Sequence, residues 1–125
     1  MPGMHNENFH QRLRVCKALL SLMDYGHLWD ADGPTVEAKK FVDQYGGPMS
    51  NPQWILYQVV WYVWGRPADV KLQEVMQLPP PYNELVTSLL NGMTTGPAAV
   101  EAWLTRLKGV LEASKARTTK LHKLA

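Results

Sequence analysis

Ser50-Asn51-Pro52-Gln53-Trp54-Ile55-Leu56-Tyr57-Gln58-Val59-Val60-Trp61-Tyr62-Val63-Trp64 holds the longest apolar run of a 125-residue chain and opens on a helix-start signature. Ser50 and Gln53 stand three apart, the spacing of a capping box, in which each side chain satisfies the other residue's free backbone N–H. Met49 and Trp54 flank them at the positions of a hydrophobic staple. The β-branched and aromatic content of 54–64 would suit a strand equally well. Two arguments favour helix: the cap is specific to helices, and no second segment reads as a strand able to pair with this one. A lone strand would leave its backbone groups unpaired.

As a helix, the segment carries Trp54, Tyr57, Trp61 and Trp64 on one stripe and Ile55, Val59, Tyr62 and Val63 on the opposite face. An element apolar on both sides must be covered on both sides. It is therefore expected at the centre of the fold. The run from Trp54 to Trp64 is 11 residues long and interrupted by Gln58. A membrane-spanning helix needs about 20 residues, so the segment is expected inside protein, with no membrane partner.

Outward from this element, every stretch between breakers reads as helix. Residues 6–25 place Phe9, Leu13, Cys16, Leu20 and Met23 on one stripe, with Asn6 as N-cap and Gly26 just past the end. A loop over 27–34 leads to a helix over 34–45, with Pro34 in its first turn and Gly46-Gly47-Pro48 as its stop. Beyond Gly65, residues 67–77 form a short helix with Leu72, Val75 and Met76 inward. Pro79-Pro80-Pro81 is a stiff spacer, and 81–91 is a helix closed by Gly92. Pro97 opens the last helix, which carries Val100, Trp103, Leu104, Leu107 and Leu111 on one face. The expectation is an all-α fold: a single helical domain over 1–114, built of five or six short helices around the Trp54–Trp64 element, with a basic, fraying tail over 115–125. A chain of this length buries roughly two-thirds of its unfolded surface and needs no metal or disulfide staple.

Composition narrows the class further. An apolar fraction of 46% with 19% charged residues excludes a disordered or fibrous chain. Cys16 is the only cysteine, so no internal disulfide forms, and the N-terminus has no basic segment leading into an apolar run. A cytoplasmic protein is expected. The net charge of +2 is uneven: residues 106–125 hold six bases against one acid, +5, and the other 105 residues carry seven bases and ten acids, −3. Residues 123–125 also fit an expression-vector remnant, which would make the native tail slightly less basic.

Candidate chemistry is sparse. Asp30-Ala31-Asp32-Gly33 resembles a calcium loop only locally, because Gly33 at the sixth position puts Leu28 first and Lys39 twelfth, neither of which fits. His27, Asp30 and Asp32 share the loop after Tyr25 and supply the types for an acid–base pair, His27 as base with either aspartate as partner. This is the enzymatic alternative. No metal site is expected, since no matching His or Cys pair stands elsewhere. Cys16 and His10 are about 600° apart around a helix, so Cys16 reads as core. The six glutamates supply one Glu-x-x-His, Glu7 with His10, and no second such motif or Glu-x-x-Glu to face it across a bundle; no phosphate-binding glycine loop is present either, so no cofactor is expected.

A helix-turn-helix over 85–91 and 98–107 would offer Glu101, Thr105, Arg106 and Lys108 to nucleic acid. The acid, the Gly/Pro-rich turn and the acidic body all argue against it, leaving a nucleic-acid accessory role for the basic tail as a distant alternative. The remaining signal is aromatic: five Trp and five Tyr, three of the former and two of the latter on one helix. If neighbouring helices cannot sheathe that helix, the surplus surface serves a small apolar ligand, a protein partner or a homodimer. The expected function is non-catalytic binding through Trp54, Tyr57, Trp61 and Trp64, with Trp29 as an outlying candidate from the loop.

Overall fold

The computed structural model describes residues 2–66 and 68–117, and the side chains of 9–66 and 68–113. Its elements are α1 (Pro2–Ser21), a 3₁₀ turn (Gly26–Leu28), β1 (Trp29–Asp30), β2 (Gly33–Pro34), α2 (Val36–Asp43), α3 (Asn51–Trp64), α4 (Leu72–Met76), α5 (Tyr82–Thr95) and α6 (Pro97–Arg117). The protein is all-α apart from one small ribbon.

The cap read from the sequence starts α3. Ser50 Oγ accepts from the Gln53 N–H at 3.3 Å, and Gln53 Oε1 accepts from the Ser50 N–H at 2.9 Å. Eight of the fourteen residues of α3 are buried. α1 packs along α3 and also against α6, α5 pairs with α6, and α4 lies on α5. Between them sit Val15, Cys16, Leu19 and Leu20 of α1, Leu56, Val59, Val60 and Val63 of α3, Leu85 and Leu89 of α5, and Val100, Trp103 and Leu107 of α6. Two polar groups among these residues find backbone acceptors. Cys16 Sγ donates to the Val60 carbonyl at 3.4 Å, and Trp103 Nε1 donates to the Leu85 carbonyl at 2.8 Å. Burial pushes the Cys16 thiol well above its ordinary pKa, so it is inert core. On the surface, Gln11 donates to the Pro97 carbonyl and, with Arg14, to the Glu101 carboxylate, strapping α1 to α6. Those bonds hold the Glu101 carboxyl below its usual pKa.

Several boundaries differ from the sequence expectation for identifiable reasons. α1 stops at Ser21, because Asp24 at φ +62° turns the chain and lets the Tyr25 N–H reach the Leu20 carbonyl at 2.9 Å. Gly26 instead opens the 3₁₀ turn. Asn6, expected as N-cap, lies inside α1, and its side chain falls outside the described ones. Residues 29–34 are a hairpin and not a plain loop: Trp29 pairs with Pro34 and Asp30 with Gly33. Asp30 Oδ1 accepts from the Asp32 N–H at 2.8 Å and tightens the turn. Pro34 thus belongs to a strand, and Thr35 caps α2 by accepting from the Ala38 N–H at 3.2 Å. α4 is only five residues long, so one face packs: Val75 is buried while Leu72 and Met76 are 56% and 63% exposed, contrary to their expected inward position. The prolines turn, with the Tyr82 N–H bonded to the Pro79 carbonyl. α5 continues through a buried Gly92 to Thr95, leaving Gly96 alone before α6. α6 runs through Arg117, and residues 118–125 of the expected tail, like Pro67, lie outside the described residues.

Candidate functional site

The aromatic stripe of α3 is covered along its middle by residues 26–47. Tyr57 is fully buried and Trp61 is 5% exposed. Trp29, carried in by β1, joins them: its ring centroid lies 5.0 Å from Trp61, 6.0 Å from Trp64 and 6.5 Å from Tyr57, each at a steep interplanar angle. Edge-to-face pairs at this spacing add about 0.5–1.5 kcal/mol each beyond the area they bury. Two glycines admit the cover. A Cβ at Gly33 (φ +114°) would stand 2.5 Å from Trp64 Cζ2, and one at Gly46 (φ +97°) would stand 2.9 Å from Trp54 Cε3. Between them, the Tyr57 hydroxyl donates to the Ala38 carbonyl at 2.5 Å and ties α2 to α3. Burial pushes the Tyr57 phenol up to about 12, with the Trp61 side chain and the Arg66 charge pulling the other way. Among the described residues the buried Trp29 indole N–H has no hydrogen-bond partner.

The two ends of the stripe differ. Trp64 is closed by α1: the Phe9 ring is 5.4 Å away edge-on, and the Arg12 guanidinium sits 6.0 Å from its ring centre while donating to its carbonyl at 3.2 Å. Trp54 opens instead onto a cleft of about 190 Å³, lined by Trp54, Trp61, Val42 and Ala68, with Tyr45, Gln58, Arg66 and Asp69 as its polar members.

Local backbone chemistry builds each of these polar positions. Past the last turn of α3, Gly65 takes φ +107°, so its N–H reaches the Tyr62 carbonyl and the Arg66 N–H returns to the Trp61 carbonyl at 3.1 Å. That turn normally lays an apolar side chain back over the last helical turn. Here it lays Arg66, whose guanidinium carbon is 5.0 Å from the Trp61 ring centre, a cation–π contact. Among the described residues Arg66 forms no ion pair, whereas Asp69 pairs with Lys71 at 3.6 Å. Tyr45 ends α2 at φ +51°, a conformation that costs a non-glycine residue roughly 1–2 kcal/mol, and it is 85% exposed at the cleft. With the Gln58 amide turned so that its nitrogen donates to the Asp69 carbonyl (2.8 Å), its oxygen accepts from Trp54 Nε1 (3.1 Å). Gln58 therefore fixes the Trp54 ring.

Of the sequence candidates, Trp29, Tyr57, Trp61 and Trp64 come together as one cluster, and Trp54 and Trp61 reach the cleft. Tyr45, Gln58, Arg66 and Asp69 were not anticipated. The signal for Arg66 was present in Gly65-Arg66 at a helix end; the others depend on how α2 lies on α3. His27 makes its ion-pair contact with Glu37, at 3.7 Å, and not with Asp30 or Asp32, and all three loop residues are exposed. Among the described residues no three His, Cys, Asp or Glu side chains converge as metal ligands would, and no helix is long and apolar enough to cross a membrane. A larger cleft of about 480 Å³ lies between α1 and the α5–α6 turn, but its polar members Gln11 and Arg12 are engaged in the strap and at the end of α3. Comparisons with known protein families, curated proteins and solved structures return no match for this chain.

Proposed function

We propose that this chain is a non-catalytic ligand-binding protein whose site is the cleft at the Trp54 end of the α3 stripe. The observation that carries this reading is the pairing of two indole walls with an exposed, strained Tyr45 and an Arg66 held on the Trp61 face. Small-molecule sites combine apolar walls with a few placed polar groups in this way, and backbone strain in an exposed residue gathers at such sites. Self-association through the stripe has only the outer parts of Trp54 and Trp64 to use, because Tyr57 and Trp61 face inward. An acid–base reaction at the 25–32 loop has neither Asp30 nor Asp32 on His27, whose carboxylate neighbour is Glu37 of α2, in an exposed contact outside any of the clefts described.

The test is titration of the isotope-labelled full chain with small one-ring compounds of neutral, anionic and cationic character, read at the five indole N–H resonances. Trp54→Phe assigns the reporting signal. Saturable movement of the Trp54 signal supports the proposal. Compounds that leave it in place, or that gather beside Met93 in the larger cleft, overturn it.

A further inference from the structure

Resting on that reading of the cleft, we infer that its ligand is a small planar carboxylate: one ring against the indoles, with its charged end on Arg66. Size comes first. A cavity of about 150 Å³ holds a benzene molecule, so a cleft of about 190 Å³ has room for a single ring with one small substituent. The walls favour a flat apolar body: half-buried Trp54 supplies the accessible indole surface, while Trp61, 5% exposed, lies under Arg66.

The sign of the ligand's charge follows from which polar groups are already matched. Gln58 is satisfied at both ends by Trp54 Nε1 and the Asp69 carbonyl, so it offers a ligand nothing without losing a bond. Asp69 has a cation beside it in Lys71. Arg66 does not pair with a carboxylate of this chain among the described residues, and its planar fork of donors matches a carboxylate with two parallel hydrogen bonds. Its position is fixed by the backbone turn at Gly65 and by the Trp61 face, so little side-chain freedom is lost when an anion binds. A cationic ligand would share Asp69 with Lys71 and would meet Arg66 at the same opening. The cleft is therefore built for an anion with a ring, not for a cation with one.

The experiment compares benzoate, benzyl alcohol and benzylamine on the full chain by the Trp54 indole resonance, and repeats benzoate on Arg66→Gln and Arg66→Lys. Benzoate should bind about tenfold more tightly than benzyl alcohol, the scale of a charge-assisted pair, and benzylamine should bind most weakly. Arg66→Gln should bring benzoate down to the benzyl alcohol level while leaving benzyl alcohol unchanged, and Arg66→Lys should fall between. Equal binding of the three compounds, or a preference for benzylamine, overturns the carboxylate inference and leaves the ligand cleft standing. No movement of the Trp54 signal with any of them overturns both. Arg66 is exposed, and the wild-type comparison decides the sign of the charge even if the variants misfold.

Discussion

Replacing Gly33 with alanine should cost the fold far more than one methyl group suggests. The new Cβ would lie 2.5 Å from Trp64 Cζ2 and 3.0 Å from Cη2. Trp64 is poorly placed to yield, being enclosed by Trp29 at 6.0 Å, Phe9 at 5.4 Å and the Arg12 guanidinium. Overpacking of this kind costs about 1–3 kcal/mol. A φ of +114° adds about 1–2 kcal/mol for a residue with a side chain. Lower freedom in the unfolded chain returns about 0.4–1 kcal/mol. The net loss is about 1–4.6 kcal/mol, and with a urea slope of about 1.5 kcal/mol per molar the unfolding midpoint should fall by about 0.7–3.1 M. Gly109→Ala is the matched control, because Gly109 lies inside α6 with no atom within 4 Å of its added Cβ. That change should stabilise by about 0.5–1 kcal/mol, as alanine does in place of helical glycine. Urea unfolding followed by tryptophan fluorescence and far-ultraviolet circular dichroism measures both. If Gly33→Ala unfolds at or above the wild-type midpoint, the hairpin does not rest on Trp64, and the account of how the stripe is covered is wrong.

Three further outcomes follow from the same structure. Ser50→Ala removes the oxygen of the capping box and should lower stability by about 1 kcal/mol, with loss of helical signal in proportion to α3; an unchanged urea midpoint would show the cap to be idle. Tyr57 has its phenol raised to about 12 from an unfolded value near 10, so the folded state holds that proton more tightly. Its contribution is complete below about pH 10 and is lost as pH climbs through about 12; Tyr57→Phe should flatten that decline relative to wild type. On α4, Leu72→Ser and Met76→Gln should each change stability by less than about 0.5 kcal/mol. Val75→Ala, which empties a buried position, should cost about 2 kcal/mol, and the reverse order in thermal unfolding would restore the inward placement of Leu72 and Met76.

The helices were legible wherever a local signal fixed them. Ser50 and Gln53 announced α3, and its two apolar faces required the cover that the fold supplies. Ends were harder to place, because a residue other than glycine can take the left-handed turn: Asp24 does so after α1 and Tyr45 after α2. The hairpin was missed although Asp32-Gly33 is a turn signal, since strands of two residues have no periodicity to detect. α4 was misjudged because five residues present one packed face, and Leu72, Val75 and Met76 cannot all lie on it. The stripe itself was readable, but which segment would lie over it was not. That depends on Trp29 returning from 32 residues before Trp61, and on glycines whose value appears only beside an indole.

Gly33 and Gly46 act as seats for the two tryptophans that end the stripe, one for Trp64 and one for Trp54. Each seat and its occupant form a heritable unit: a lineage that gives up the indole frees its glycine to drift, whereas one that keeps the indole holds the glycine in place. Position 46 should change hands with position 54, and 33 with 64, as two linked couples written into the ancestry of the fold.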